Sequence, residues 1–199
     1  NNRPVVFLHG WAQSQQVWFQ QRELFPDALF LNLPGHGGAA DAASEQWLDN
    51  IAAQLPDQAC LLVGWSLGGM VAMQLAAAFP ERIAALALIS TTPRFKASDN
   101  WSFGSSQELF DGFRLAVSSG SPKALNRFFA LMLHGDEISR SDYNQIAKAA
   151  VDRDNRVTQS GLEVGLELLE QLDLRSFIAG ITQPTLLMHG ENDAVIPVQ

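Results

Sequence analysis

Ser66 stands in Gly64-Trp65-Ser66-Leu67-Gly68-Gly69, with glycine two residues before it and two after. A serine hydroxyl serves acyl transfer when it is lifted clear of the backbone, set beside a proton acceptor and faced by donors for the oxyanion. A sharp strand-to-helix turn meets the first need, because small residues on either side let strand and helix pass closely. The helix after the serine helps with the last: its first N–H groups lack partners within the helix, and its dipole favours negative charge. Here the apolar run Cys60-Leu61-Leu62-Val63 leads in and the helix-like run Met70 to Phe79 leads out. That context separates a nucleophile elbow from a glycine-rich turn that merely contains a serine.

The rest of such a site can be sought at other strand ends. Pro4-Val5-Val6-Phe7-Leu8 reads as a buried parallel strand and runs into His9-Gly10-Trp11-Ala12. A glycine there lets the backbone turn over the sheet edge, so the expected oxyanion donors are the N–H groups of Trp11 and Leu67. Thr185-Leu186-Leu187-Met188 is a late strand, followed by His189-Gly190-Glu191-Asn192-Asp193. Asp193 is the expected orienting carboxylate, since Glu191 follows Gly190 within the turn. The proton acceptor has to be a histidine. Of the four in the sequence, His9 lies in the oxyanion loop, His36 in Pro34-Gly35-His36-Gly37, His134 in a helical region and His189 beside Asp193. His9 is either a base or a structural histidine, and its strand-end position favours the second. The catalytic histidine is expected C-terminal to Gln199. The fold is expected to be truncated at both ends, since Asn1 is not Met and leads almost at once into a strand.

These residues need a parallel sheet to hold them. Up to Ser90 the chain alternates strand and helix: Pro4–Leu8, Ser14–Phe25, Ala28–Leu33, Ser44–Leu55, Cys60–Val63, the elbow helix and Ile83–Ile89. Ser14 and Ser44 are the expected N-caps of the two amphipathic helices. Alternation of this kind implies an α/β fold, a mostly parallel sheet with helices on both faces and its catalytic groups at the carboxyl ends of the strands. From about Thr91 the pattern becomes helical, with stretches near Gln107–Val117, Pro122–His134, Ser141–Ala150 and Gly161–Leu172. A helical insertion in a strand–helix series reads as a lid, dividing the chain into core 1–92, lid 93–178 and late core 179–199. Trp65, beside the nucleophile, and the lid aromatics Phe128 and Phe129 either line a substrate pocket or form ordinary core. Gly112 to Gly135 carries Arg114, Lys123 and Arg127 and no acid, and Arg140, Lys148, Arg153 and Arg156 continue the basic set. That strip is either a solvated helix face or a surface for an anionic partner.

Composition excludes several classes. The formal net charge of −8 argues against nonspecific binding to nucleic acid or to anionic membranes. No apolar stretch approaches the ~18 residues of a spanning helix. The single cysteine, Cys60, opens an apolar strand, reads as core packing and suits a reducing compartment such as the cytoplasm. No metal-ligand spacing or phosphate-binding glycine loop appears, so no metal or cofactor is expected.

Together, His9-Gly10-Trp11, Pro34-Gly35-His36-Gly37, the Ser66 elbow and His189–Asp193 resemble the α/β-hydrolase superfamily over the whole chain. Within it, the chain is similar to the family of esterases that demethylate pimeloyl-[acyl-carrier protein] methyl ester in biotin synthesis. Pro80-Glu81-Arg82, Arg127-Phe128-Phe129-Ala130-Leu131 and Gly161-Leu162-Glu163 through Asp173-Leu174-Arg175 carry that finer likeness. The resemblance implies a cytoplasmic serine carboxylesterase without cofactor, acting as a monomer. Its partner would be an acyl-carrier protein bearing pimeloyl methyl ester, docked on Lys123, Arg127 and Arg140, while a further family arginine falls on Asn144. A general short-chain esterase, another lidded hydrolase or a non-catalytic binding module on the same fold are the alternatives.

Overall fold

The computed structural model describes residues 3–120, 129–133, 139–150 and 157–198. Its frame is a sheet of five parallel strands: β1 (Val5–Leu8), β2 (Leu29–Leu31), β3 (Cys60–Trp65), β4 (Ile83–Ile89) and β5 (Thr185–Met188). Their spatial order is β2-β1-β3-β4-β5. The chain thus builds outward from β1 to β2, then returns past β1 to start β3. A crevice opens at such a reversal, outside the carboxyl ends of the two strands. Here those strands are β1 and β3, the two that lead into Gly10 and Ser66.

β1 and β3 read as unbroken apolar runs because the sheet is covered on both faces there. One face carries α2 (Trp47–Ala52) and α3 (Leu67–Ala78), packed on Val6, Leu8, Leu62 and Leu86. α3 is apolar nearly all round and buried along most of its length, as a helix enclosed by protein must be. Each fully buried Leu in this layer contributes roughly 1.5–3 kcal/mol relative to an exposed one. The other face is covered by a 3-10 turn, Gln15–Trp18, and by α1 (Phe19–Leu24), with Trp18 against Phe7 and Val63. Phe7 and Phe30 stack there at 4.7 Å between ring centroids. β5 forms one edge of the sheet, with Leu187 73% exposed.

Some boundaries shift from the sequence reading. Ser14 caps its helix as expected, its Oγ accepting from Gln16 N–H, but the segment starts as a 3-10 turn before becoming α1. Ser44 is not a cap: Ala43 holds that position, and the Ser44 hydroxyl donates to Glu45 instead. β3 runs on to Trp65 and α3 starts at Leu67, so Ser66 alone forms the turn.

After β4 come α4 (Gln107–Ser118), α5 (Arg140–Ala150) and α6 (Gln159–Gln171). Ser106 caps α4 and Thr158 caps α6 through their hydroxyls. Of the expected helix Pro122–His134, residues 129–133 are described, and 129–132 are helical. Two carboxylates tie the loop after β4 to the end of α6. Asp173 pairs with Arg175 at 2.6 Å and Arg94 at 2.7 Å. Glu170 pairs with Lys96 at 2.8 Å and with Arg114. Hydrogen bonds from Arg175, with Arg94 nearby, hold the Asp173 carboxyl well below the usual carboxylate range. No helix among the described residues is long and apolar enough to cross a membrane.

Candidate active site

The strand register brings the expected site residues to one edge. Leu8 pairs with Gly64, Trp65 with Ile89, and Ile89 with Met188. Continued one step past these pairs, the register sets Ser66, Ser90 and His189 level at the sheet edge, with Gly10 after β1 beside Ser66.

Ser66 has φ 54° and ψ −120°, a conformation that L residues rarely adopt. Holding a non-glycine residue there costs on the order of 1–3 kcal/mol, so the surroundings must enforce it. They do so by close approach. A Cβ on Gly64 would lie 2.6 Å from the Gly68 carbonyl oxygen, and one on Gly68 would lie 2.4 Å from the His9 carbonyl oxygen. Only glycine allows the start of α3 to press against both β3 and the end of β1. The Ser66 N–H donates to the Ile89 carbonyl at 3.0 Å. Its carbonyl accepts from the Thr91 hydroxyl at 2.7 Å and from the Gly69 and Met70 N–H groups. The elbow is thus pinned to β4 through backbone on one side and Thr91 on the other.

The loop after β1 abuts it. A Cβ on Gly10 would lie 3.2 Å from the Ser66 Cβ and 3.3 Å from the Trp65 ring. Leu67, the first residue of α3, has an N–H with no partner one helical turn back. Trp11 is buried, and its indole N–H donates to the Leu162 carbonyl at 2.9 Å. Trp65 packs from the opposite sheet face, edge-on to Trp18 at 6.4 Å, and supports the elbow there.

Two buried histidines fix the loop's course. The His9 Nε2 accepts from Leu33 N–H at 3.1 Å, so its Nδ1 carries the proton and donates to the Gly10 carbonyl. The His36 Nε2 accepts from Ala12 N–H at 3.3 Å, and its Nδ1 donates to the Pro34 carbonyl. Both rings are neutral. Burial, aided by the neighbouring His36, pushes His9 down to about 3. Burial pushes His36 down to about 4 against the pull of its bond to Pro34 and of Asp41. His9 is therefore a structural histidine, as its strand-end position predicts. The role of His36 had no sequence signal beyond its Pro-Gly loop.

At the end of β5, the Asp193 Oδ1 accepts from the Val195 and Ile196 N–H groups at 2.9 and 2.8 Å. Its Oδ2 lies 3.5 Å from the His189 Nε2, which meets the Ile196 carbonyl at 2.7 Å. The carboxylate is fixed in a turn at the strand end, with one oxygen held by the turn and the other facing His189. None of the three described histidines hydrogen-bonds to Ser66.

Among the helical residues, Phe129 is buried against Tyr143 at 6.3 Å between ring centroids. Arg140 is exposed at the start of α5. Arg114, read in the sequence as part of a positive strip, has its charge engaged by Glu170. Lys123, Arg127 and Phe128 lie outside the described residues.

Comparison with known proteins gives a consistent picture. The family described as alpha/beta hydrolase fold matches residues 3–199. A pimeloyl-[acyl-carrier protein] methyl ester esterase of Aromatoleum aromaticum is 37% identical over 208 residues, covering 99% of this chain and 82% of the relative. The protein of the same name from Nitrosomonas europaea is 34% identical over 203 residues, covering 99% and 80%. Among solved structures, an esterase from Exiguobacterium antarcticum superposes with a TM-score of 0.84 at 22% identity, covering 99% of this chain and 76% of that one.

Proposed function

This chain belongs to the alpha/beta hydrolase fold family, and from that premise we propose that it is a serine carboxylesterase of the pimeloyl-[acyl-carrier protein] methyl ester type. The observation that carries the reading is the Ser66 backbone at φ 54° and ψ −120°, alone between β3 and α3 and packed against Gly10. In the proposed cycle the Ser66 Oγ attacks the ester carbonyl carbon while the Trp11 and Leu67 N–H groups hold the oxyanion. Each such donor typically contributes roughly 3–4 kcal/mol to lowering the barrier. Methanol leaves as the tetrahedral adduct collapses to an acyl-enzyme, and water then releases the carboxylate and restores Ser66. A histidine on the C-terminal side of Gln199 takes the serine proton, and Asp193 orients that histidine.

The segment 93–178 acts as a lid over this edge of the sheet, with Phe128 and Phe129 beside the acyl chain and Trp65 behind the elbow. Lys123, Arg127 and Arg140 meet the acidic acyl-carrier protein, and the enzyme works as a cytoplasmic monomer. Two of those cations lie in the stretch free of acids, and Arg140 is exposed, which supports the docking role.

The test compares hydrolysis of pimeloyl-acyl-carrier protein methyl ester with that of p-nitrophenyl butyrate. The carrier-bound ester should be preferred, Ser66→Ala should abolish both activities, and reversing Lys123, Arg127 and Arg140 to Glu should erase only the preference. Equal use of both esters, unchanged by charge reversal, would instead mark a general short-chain esterase.

A further inference from the structure

α6 meets both residues that supply the oxyanion donors, and it does so through glycine. A Cβ on Gly165 would lie 2.6 Å from the Trp11 Cδ1, 3.2 Å from its Nε1 and 3.5 Å from the Leu67 Cδ2. One turn earlier, a Cβ on Gly161 would lie 2.6 Å from the Gly35 carbonyl oxygen. Glycine is a poor residue for a helix interior, so two of them four apart on one face need a packing reason. The reason here is that the helix lies directly on the indole of Trp11 and on the backbone of Gly35.

Hydrogen bonds close the contact into a ring. The Thr158 N–H, at the cap of α6, donates to the Gly35 carbonyl at 2.8 Å. The next residue, His36, accepts from the Ala12 N–H, and Ala12 adjoins Trp11. The Trp11 indole then returns to α6 through the Leu162 carbonyl. The peptide that presents the Trp11 N–H is therefore bounded by Gly10 against Ser66, by Ala12 on His36 and by an indole clamped under α6.

We propose that Gly161 and Gly165 are positioning residues that make α6 the element setting the Trp11 and Leu67 donors against Ser66. This rests on the esterase reading above. The helix contributes no atom to the reacting ester and acts through the indole. A displacement of α6 moves the oxyanion hole, so it changes turnover more than substrate affinity, since a misplacement of about 1 Å is worth up to roughly 100-fold in rate.

Three substitutions test it: Gly165→Ala, Trp11→Phe and, as a control, Gly112→Ala on α4, where an added Cβ meets nothing within 4 Å. With p-nitrophenyl butyrate, Gly165→Ala should lower kcat by roughly 10–100-fold with KM within about twofold. Trp11→Phe, which keeps the backbone N–H and loses the indole N–H, should move kcat in the same direction, and Gly112→Ala should leave both constants alone. Proton NMR of ¹⁵N-tryptophan-labelled protein supplies a second readout. The Trp11 indole N–H, identified by its loss in Trp11→Phe, should exchange slowly with solvent and should shift and exchange faster in Gly165→Ala. An unchanged indole signal in Gly165→Ala, or an unchanged kcat beside an altered signal, overturns the proposal. No turnover by the unsubstituted protein would count against the esterase reading, while the indole signal still decides the seat of α6.

Discussion

The Thr91 hydroxyl donates a 2.7 Å hydrogen bond to the carbonyl of Ser66, reaching from the loop after β4 to the strained turn after β3. Thr91 also forms the wall that Gly69 faces, since a Cβ there would lie 2.6 Å from its Oγ1. One side chain thus holds the elbow by a polar contact and by shape. Thr91→Val keeps the shape and removes the bond. The expected loss is about 1 kcal/mol of stability, read as a fall in Tm of roughly 2–4 °C. Turnover of p-nitrophenyl butyrate should fall by a factor of roughly 3–10 as the serine relaxes. Unaltered turnover at the lowered Tm would show that Ser66 keeps its place without Thr91.

His9 and His36 predict an acid-sensitive fold. Both are neutral in the folded chain, at about 3 and about 4 against 6.5 when free, so below 6.5 the unfolded chain binds more protons. Their contribution is therefore fully present above that value and lost as pH falls toward 4. Between pH 7 and pH 5 the pair should remove roughly 3–4 kcal/mol. Urea unfolding at the two pH values measures this. The double substitution of both histidines by Gln should flatten the dependence, and a parallel drop in that variant would assign it to other groups.

Gly68→Ala tests the contact between α3 and β1. The added Cβ would overlap two backbone oxygens, those of His9 at 2.4 Å and Leu8 at 2.6 Å, and neither belongs to a flexible side chain. The expected cost is about 3 kcal/mol, despite alanine's better helix propensity. Urea unfolding reads it, and a stabilised Gly68→Ala would mean that α3 stands off β1.

Asp193→Asn separates charge from shape. An Asn oxygen can still accept from the Val195 and Ile196 N–H groups, so the turn should hold and Tm should change little. Losing the carboxylate should lower kcat by roughly 10³–10⁴-fold if Asp193 orients the base. Full activity in Asp193→Asn would reduce it to a turn residue.

The sequence by itself determined the strands and the elbow. Apolar runs closed by glycine loops admit few structures, and Gly64, Gly68 and Gly69 around Ser66 have one economical use, a tight strand-to-helix crossing. It also placed Asp193, because an acid straight after a late parallel strand must emerge at the same sheet edge. It did not show why Gly161 and Gly165 interrupt a helix, or why Arg114 is neutralised. Those depend on neighbours far away in the chain: Gly161 on Gly35, Gly165 on Trp11, Arg114 on Glu170. Local pattern reports what a segment can form alone, whereas close packing and charge pairing depend on what lies across from it. Only the tertiary structure could bring Trp11 and Leu67 under one helix, because Trp11 follows β1, Leu67 opens α3 and α6 arrives far later in the chain than either.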